Sequence, residues 1–123
     1  MYEAILAILL TAAAQPAEDW QEVTQNDRGT VSADVASKQR AGDIVTLQTR
    51  TMFAEALADG TASVTVRMRY DCRRNLSETL AVTMVGADGA VILSQDVPDD
   101  QRQMEPIVAD SPDAALAGFA CRP

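Results

Sequence analysis

The side chains that could act as nucleophiles, Ser32, Ser37, Ser63, Ser77, Ser94 and Ser111, have no imidazole to activate them, because the chain contains no histidine. Ser-His-Asp and Cys-His machinery, and imidazole metal ligands, are excluded with it. Lys38 is the only lysine. As the base of a Ser-Lys dyad it would need desolvation and a depressed pKa; an exposed loop lysine is the plainer reading. Carboxylate pairs do acid–base work only in a cleft that drives their pKa values apart, and no spacing here indicates one. No catalytic residue, metal site or cofactor is expected, and the chain reads as a non-enzyme.

Three groups of residues could still bind. Asp96, Asp99, Asp100 and Glu105 offer hard oxygens to Ca²⁺, but no glycine is placed as in a calcium loop, so they read as a solvated loop. Cys72 and Cys121 have neither CxxC spacing nor further soft ligands, which argues against a zinc or redox site. They suit a single disulfide in an oxidising compartment, or else two unrelated buried thiols. Arg50, Arg67 and Arg69 recur at spacings that can place them on one strand face. Guanidinium groups offer bidentate geometry to a carboxylate, a phosphate or an acidic protein segment. Asp71 and Asp96 are the acids placed to neutralise them as ordinary surface ion pairs.

Bulk properties narrow the partners. Ten basic residues against 18 acidic ones give a net charge of −8, which opposes nonspecific nucleic-acid binding. The length, 123 residues, fits one domain with a modest core. Residues 5–14 form an apolar run ending in Ala12-Ala13-Ala14, with the small side chains that signal peptidase accepts. A run of about ten residues is too short to span a bilayer, which takes roughly 20. Its flank, Met1-Tyr2-Glu3, carries no Lys or Arg; a buried helix and a start codon placed too late are the competing readings. Residues 1–14 are expected to be a signal peptide and 15–123 a single exported domain, periplasmic or extracellular. No cysteine follows the apolar run, so no stable membrane anchor is expected.

The positioning elements are strands. Along Ala62 to Cys72, apolar and polar residues alternate: Val64, Val66, Met68, Tyr70 and Cys72 share one face, Thr65, Arg67, Arg69 and Asp71 the other. Ile44 to Phe53 is rich in β-branched residues, and, with a wider loop through Glu55-Ala56-Leu57-Ala58 as the alternative, Asp59-Gly60 can supply a tight turn. That hairpin would set Phe53 opposite Val66, Leu47 opposite Cys72 and Arg50 opposite Arg69, with Arg67 two residues away; like charges in that position repel. Asp88-Gly89 would close a second hairpin with Met84 opposite Leu93 and Leu80 opposite Val97. Trp20 to Val23 and Thr30 to Val35 are weaker strand candidates around an Asn26-Asp27-Arg28-Gly29 turn. Ser111-Pro112-Asp113 reads as the cap and first turn of a short helix. The expected architecture is α+β: an antiparallel meander of about five to six strands, one face covered by the C-terminal helix, with one disulfide joining the two.

Tyr70-Asp71-Cys72, the Asp88-Gly89 hairpin, the strand Val91 to Asp96, Glu105-Pro106-Ile107, Ser111 and Cys121 occur in the order and spacing of a known group. In these segments the chain resembles the surface-adhesin protein E family of small exported bacterial proteins. The resemblance spans roughly Trp20 to Cys121 and is specific from Tyr70 onward. It implies a signal sequence, a largely antiparallel sheet, a C-terminal helix and a disulfide between the matching cysteines. It also implies a noncatalytic domain at the cell envelope with a protein partner, the founding adhesin binding host matrix and serum proteins. The chain departs from the family at Gln103-Met104, where an aromatic is expected, in lacking the lipid-anchor cysteine that some members carry, and in the adhesin's host-binding segment, which has no match here. A structural or accessory periplasmic protein without a dedicated ligand is the alternative, and an unpaired edge strand leaves a homodimer open.

Overall fold

The computed structural model describes residues 17–123; the expected leader, residues 1–14, lies outside them. Seven strands run β1 (Trp20–Asn26), β2 (Gly29–Ala41), β3 (Ile44–Phe53), β4 (Thr61–Asp71), β5 (Leu76–Gly86), β6 (Val91–Asp96) and β7 (Glu105–Pro106), followed by helix α1 (Pro112–Ala120). The first six form an antiparallel meander in sequence order, and β7 pairs with the β5 end that β6 leaves open. The α+β architecture expected from the alternation and the helix cap is the one observed.

Alternation decides the faces. Val31 and Ala33 of β2, Val45 and Leu47 of β3, and Tyr70 of β4 form a buried cluster with Leu116, Ala117 and Ala120 of α1. The helix therefore covers the inner face of the sheet at the end where β3 begins and β4 finishes. Ser111 caps it: the Ser111 Oγ accepts from the Ala114 N–H at 3.1 Å and donates to the Val108 carbonyl at 2.6 Å. Pro112 follows where a missing N–H costs nothing, and Asp113 adds negative charge in the first turn. Cys121 ends the helix and bonds Cys72, one residue beyond β4, with Cα atoms 5.7 Å apart. The disulfide thus joins the helix C-terminus to a central strand.

Both hairpin expectations need correction at their turns. β3 and β4 pair four residues away from the expected register: Leu47 faces Met68, Thr51 faces Val64 and Arg50 faces Thr65. Arg50 is not opposite Arg69, Leu47 is not opposite Cys72, and Phe53 pairs with Gly29 of β2 instead of Val66. The connection is not the two-residue turn but a wider loop, closed by Leu57 N–H to the Thr61 carbonyl at 2.9 Å. A slip of four keeps every side chain on its own face, so apolar matching cannot detect it. In the β5–β6 hairpin, Met84 faces Leu93 as expected, and Val97 N–H donates to the Leu80 carbonyl at 2.8 Å. The turn itself is one residue longer: Gly86 N–H bonds the Ala90 carbonyl, Gly89 takes a positive φ, and a register shift between Met84 and Val85 absorbs the extra residue.

The weaker candidates extend further than their sequence signals. β1 continues to Asn26 and β2 to Ala41, with a break in the β1–β2 pairing at Val23. A second break, between Arg67 and Met68, sets Thr79 opposite Met68. Thr79 Oγ1 lies 3.5 Å from the Met68 sulfur, so this part of β5 turns hydroxyls, not Leu80, toward the helix side.

Gly29 starts β2 where any Cβ would overlap the Met52 carbonyl oxygen of β3, whereas a Cβ at Gly118 in α1 meets nothing within 4 Å. Gly29→Ala is therefore expected to destabilise by about 2 kcal/mol or more. Gly118→Ala should stabilise by roughly 0.5–1 kcal/mol through helix propensity. Urea midpoints of the two variants should move in opposite directions.

Candidate binding face

Adjacent strands set side chains in rows across the sheet. On the outer face one row runs Ser32, Arg50, Thr65, Thr83, Ser94, and the next runs Trp20, Asp34, Gln48, Arg67, Ala81, Asp96. Arg50 and Arg67 are thus diagonal neighbours on adjoining strands, about 7–8 Å apart by sheet geometry. Trp20, on β1, reaches over β2 so that the Arg50 guanidinium lies 4.1 Å from its ring centroid. Ser32 and Asp34, on β2 beneath this contact, are buried although they face away from the helix. The Trp20 indole N–H donates to Glu18 at 2.6 Å, and Asp34 accepts the backbone N–H groups of Asp19 and Ala36. These bonds fix the chain entering β1, and with it the ring under Arg50.

The three arginines singled out from the sequence share this face but not one environment. Arg69 is opposite Glu78 and pairs with it at 2.7 Å, the carboxylate being buried. Glu78, not Asp71, neutralises it. Asp71 is held at the β4–β5 turn by Arg74 Nε at 2.8 Å and by the N–H groups of Arg73 and Arg74. Those bonds, the Arg74 side chain foremost, keep its carboxyl below the usual aspartate range. Asp96 is two strands from Arg67, across Ala81. Arg67 is exposed, and no carboxylate of a described residue lies within ion-pair distance of it or of Arg50. The Arg50 Nε is buried with no hydrogen-bond partner among the described residues.

The helix side carries a polar network that sequence reasoning missed. The Tyr70 hydroxyl donates to Asp113 Oδ1 at 3.2 Å and Ser77 Oγ donates to Oδ2 at 2.8 Å. Burial first, then the adjacent Asp113 charge, pushes the Tyr70 hydroxyl well above the ordinary phenol range. A cleft of about 470 Å³, lined by Ser77, Thr79, Arg102, Glu105 and Asp113 among others, opens beside this network where β6 and β7 share the β5 edge. The signal was present: a tyrosine at an inward strand position needs a hydroxyl partner, and Asp113 was already placed at the helix start. Ser77 is bonded to a carboxylate without an intervening base. Lys38 lies in β2 and not in a loop; its Nζ donates to the Arg122 carbonyl at 3.0 Å, which ties down the C-terminus. Of the acidic stretch, Asp96 ends β6, Asp99 and Asp100 lie in a 3-10 turn, Glu105 is in β7, and Asp99 pairs with Arg102 at 2.7 Å.

Residues 20–122 match the sequence profile of surface-adhesin protein E. The chain belongs to this family. Among solved structures it is similar to protein E from non-typeable Haemophilus influenzae, with a TM-score of 0.59 and 11% identity over 88% of this chain and 78% of that one. Identity that low establishes the fold alone. No curated protein sequence matches the chain.

The residues that signal membership of the surface-adhesin protein E family prove to be architectural. Tyr70 enters the core, Asp71 holds the turn and Cys72 forms the disulfide. Glu105-Pro106 pairs with Leu76 and Ser77, and Ile107 packs against the core cluster. The disulfide and C-terminal helix that the family implies are both present.

The raised Tyr70 pKa has a definite stability consequence. Its contribution is whole below the unfolded phenol value of about 10 and is lost as pH rises from there toward the folded value. Stability measured by urea unfolding should therefore decline above about pH 10, and Tyr70→Phe should flatten that decline. An unchanged alkaline slope in Tyr70→Phe would show that Tyr70 is not the group responsible.

Proposed function

We propose that this chain is an exported, noncatalytic binding domain of adhesin type that contacts a protein partner through the outer face of its sheet. The observation that carries the reading is the asymmetry of cover. Helix α1 and the disulfide lie against the inner face. On the other side Gln48, Thr65 and Thr83 are half-buried, and Arg67 and Ser94 are exposed. This is a donor-rich surface spanning the central strands, backed by a pinned core. At its margin, Val91 and Ile92 of the edge strand β6 are 61% and 45% exposed, apolar area of the kind found at protein contacts. Family membership supports binding at the cell surface, and the apolar run at residues 5–14 supports export with cleavage near Ala14.

The partner is sought with immobilised protein beginning at Gln15, presented to bacterial envelope extract and to host extracellular-matrix protein. Saturable binding to one of them is expected, weakened at least tenfold in Thr65→Tyr/Thr83→Tyr, which crowds the outer face with strand-compatible side chains. Absence of saturable binding to both, while a control adhesin is retained, would contradict the reading.

A further inference from the structure

We propose that Arg50 and Arg67, with Trp20 as the platform for Arg50, form a receptor for a carboxylate on an acidic segment of a polypeptide partner. The inference rests on the binding-domain reading and names the chemistry of the contact. Three observations point to it.

The first is preorganisation. The Arg50 guanidinium is stacked on the Trp20 ring at 4.1 Å, and the ring is itself held through its N–H by Glu18. A guanidinium over an aromatic ring spends none of its N–H groups on it, which leaves the terminal Nη donors of Arg50 for an acceptor. An arginine already immobilised loses less side-chain entropy when it binds.

The second is unspent charge. No described residue supplies an ion-pair or hydrogen-bond acceptor to Arg50 or Arg67, in contrast to Arg69, which Glu78 satisfies. The Arg50 Nε is buried, so its terminal Nη groups, which have no acceptor among the described residues, are the donors a ligand reaches; the nearest cationic neighbour on this face is diagonal to it. An anion bridging the pair would remove their repulsion and supply charge-assisted acceptors. Gln48 and Thr65, which occupy the other corners of the same four-residue patch, add neutral donors around it.

The third is size. The cationic patch is bordered by acids on both sides: on β2 the buried Asp34 lies beside Gln48 and diagonal to Arg50, on β1 Glu22 lies beyond Ser32 in the Arg50 row, and on β6 Asp96 lies beyond Ala81 in the Arg67 row. With strands about 4.8 Å apart, the cationic zone is only a few strands wide on a molecule of net charge −8. That geometry accepts one or two carboxylates and repels an extended polyanion. Trp20, at its margin, offers apolar contact to the neighbouring peptide.

Trp20 is the only tryptophan, so its fluorescence reports on the site directly. The probe is the N-acetylated, C-amidated peptide Ala-Glu-Ala-Glu-Ala, with the Gln-for-Glu peptide and a heparin tetrasaccharide as comparisons. Titration of protein beginning at Gln15 should give a saturable fluorescence change with the glutamate peptide and shift the Arg50 and Arg67 side-chain NMR resonances. Affinity should fall at least tenfold in Arg50→Gln and in Arg67→Gln, and remain within twofold in Arg28→Gln. Arg67 is exposed, so Arg67→Gln tests the site even where Arg50→Gln impairs folding. Equal binding of the glutamine peptide, a response to heparin but not to the glutamate peptide, or undiminished affinity in Arg67→Gln would each overturn the proposal. A protein partner that binds the Arg50→Gln/Arg67→Gln variant normally would also overturn it, while leaving the binding-domain reading intact.

Discussion

A nine-residue helix cannot hold itself on a sheet by its own propensity; isolated helices of that length are marginal in water. What keeps α1 in place is attachment at both ends. At its C-terminus Cys121 is bonded to Cys72, and at its first turn Asp113 accepts hydrogen bonds from Tyr70 and Ser77. Between these anchors Leu116, Ala117 and Ala120 close over Val45, Leu47 and Tyr70. Without that cover the inner face of β2, β3 and β4 would meet water, and the outer face would lose its rigid backing.

The same arrangement separates two kinds of residue. Tyr70, Cys72, Ile107, Ser111 and Cys121 build the attachment of the C-terminal segment to the sheet, and Asp71 holds the β4–β5 turn beside it. Arg50, Arg67, Gln48 and Thr65 stand on the opposite face, where substitution leaves the core intact. A fold of this type can thus keep one architecture while its exposed surface changes partner. This separation agrees with a shared fold at 11% identity to Haemophilus influenzae protein E.

Most of the fold was legible because period-two alternation, helix-cap chemistry and a lone cysteine pair are local signals that agree with one another. The register of β3 against β4 was not, since a four-residue slip preserves every inward and outward assignment. That slip decided the site. It separated Arg50 from Arg69 and left Arg69 to Glu78, while Arg67 stays diagonal to Arg50 in either register. The Trp20–Arg50 stack was equally hidden, because it crosses β2 and depends on two strand pairings at once, one broken at Val23 and the other between Asp34 and Gln39. The Tyr70–Asp113–Ser77 network joined residues 43 and 36 positions apart, beyond the reach of any local pattern.

The most direct test of the helix attachment is amide hydrogen exchange, with and without the disulfide. In Cys72→Ala/Cys121→Ala the unfolding free energy should fall by roughly 4 kcal/mol, the chain-entropy value for a loop of this length. The amides of α1 should lose protection well before those of β3 and β4. Unchanged protection of α1 in that variant, with stability within about 1 kcal/mol of the parent, would contradict the role given to the Cys72–Cys121 bond.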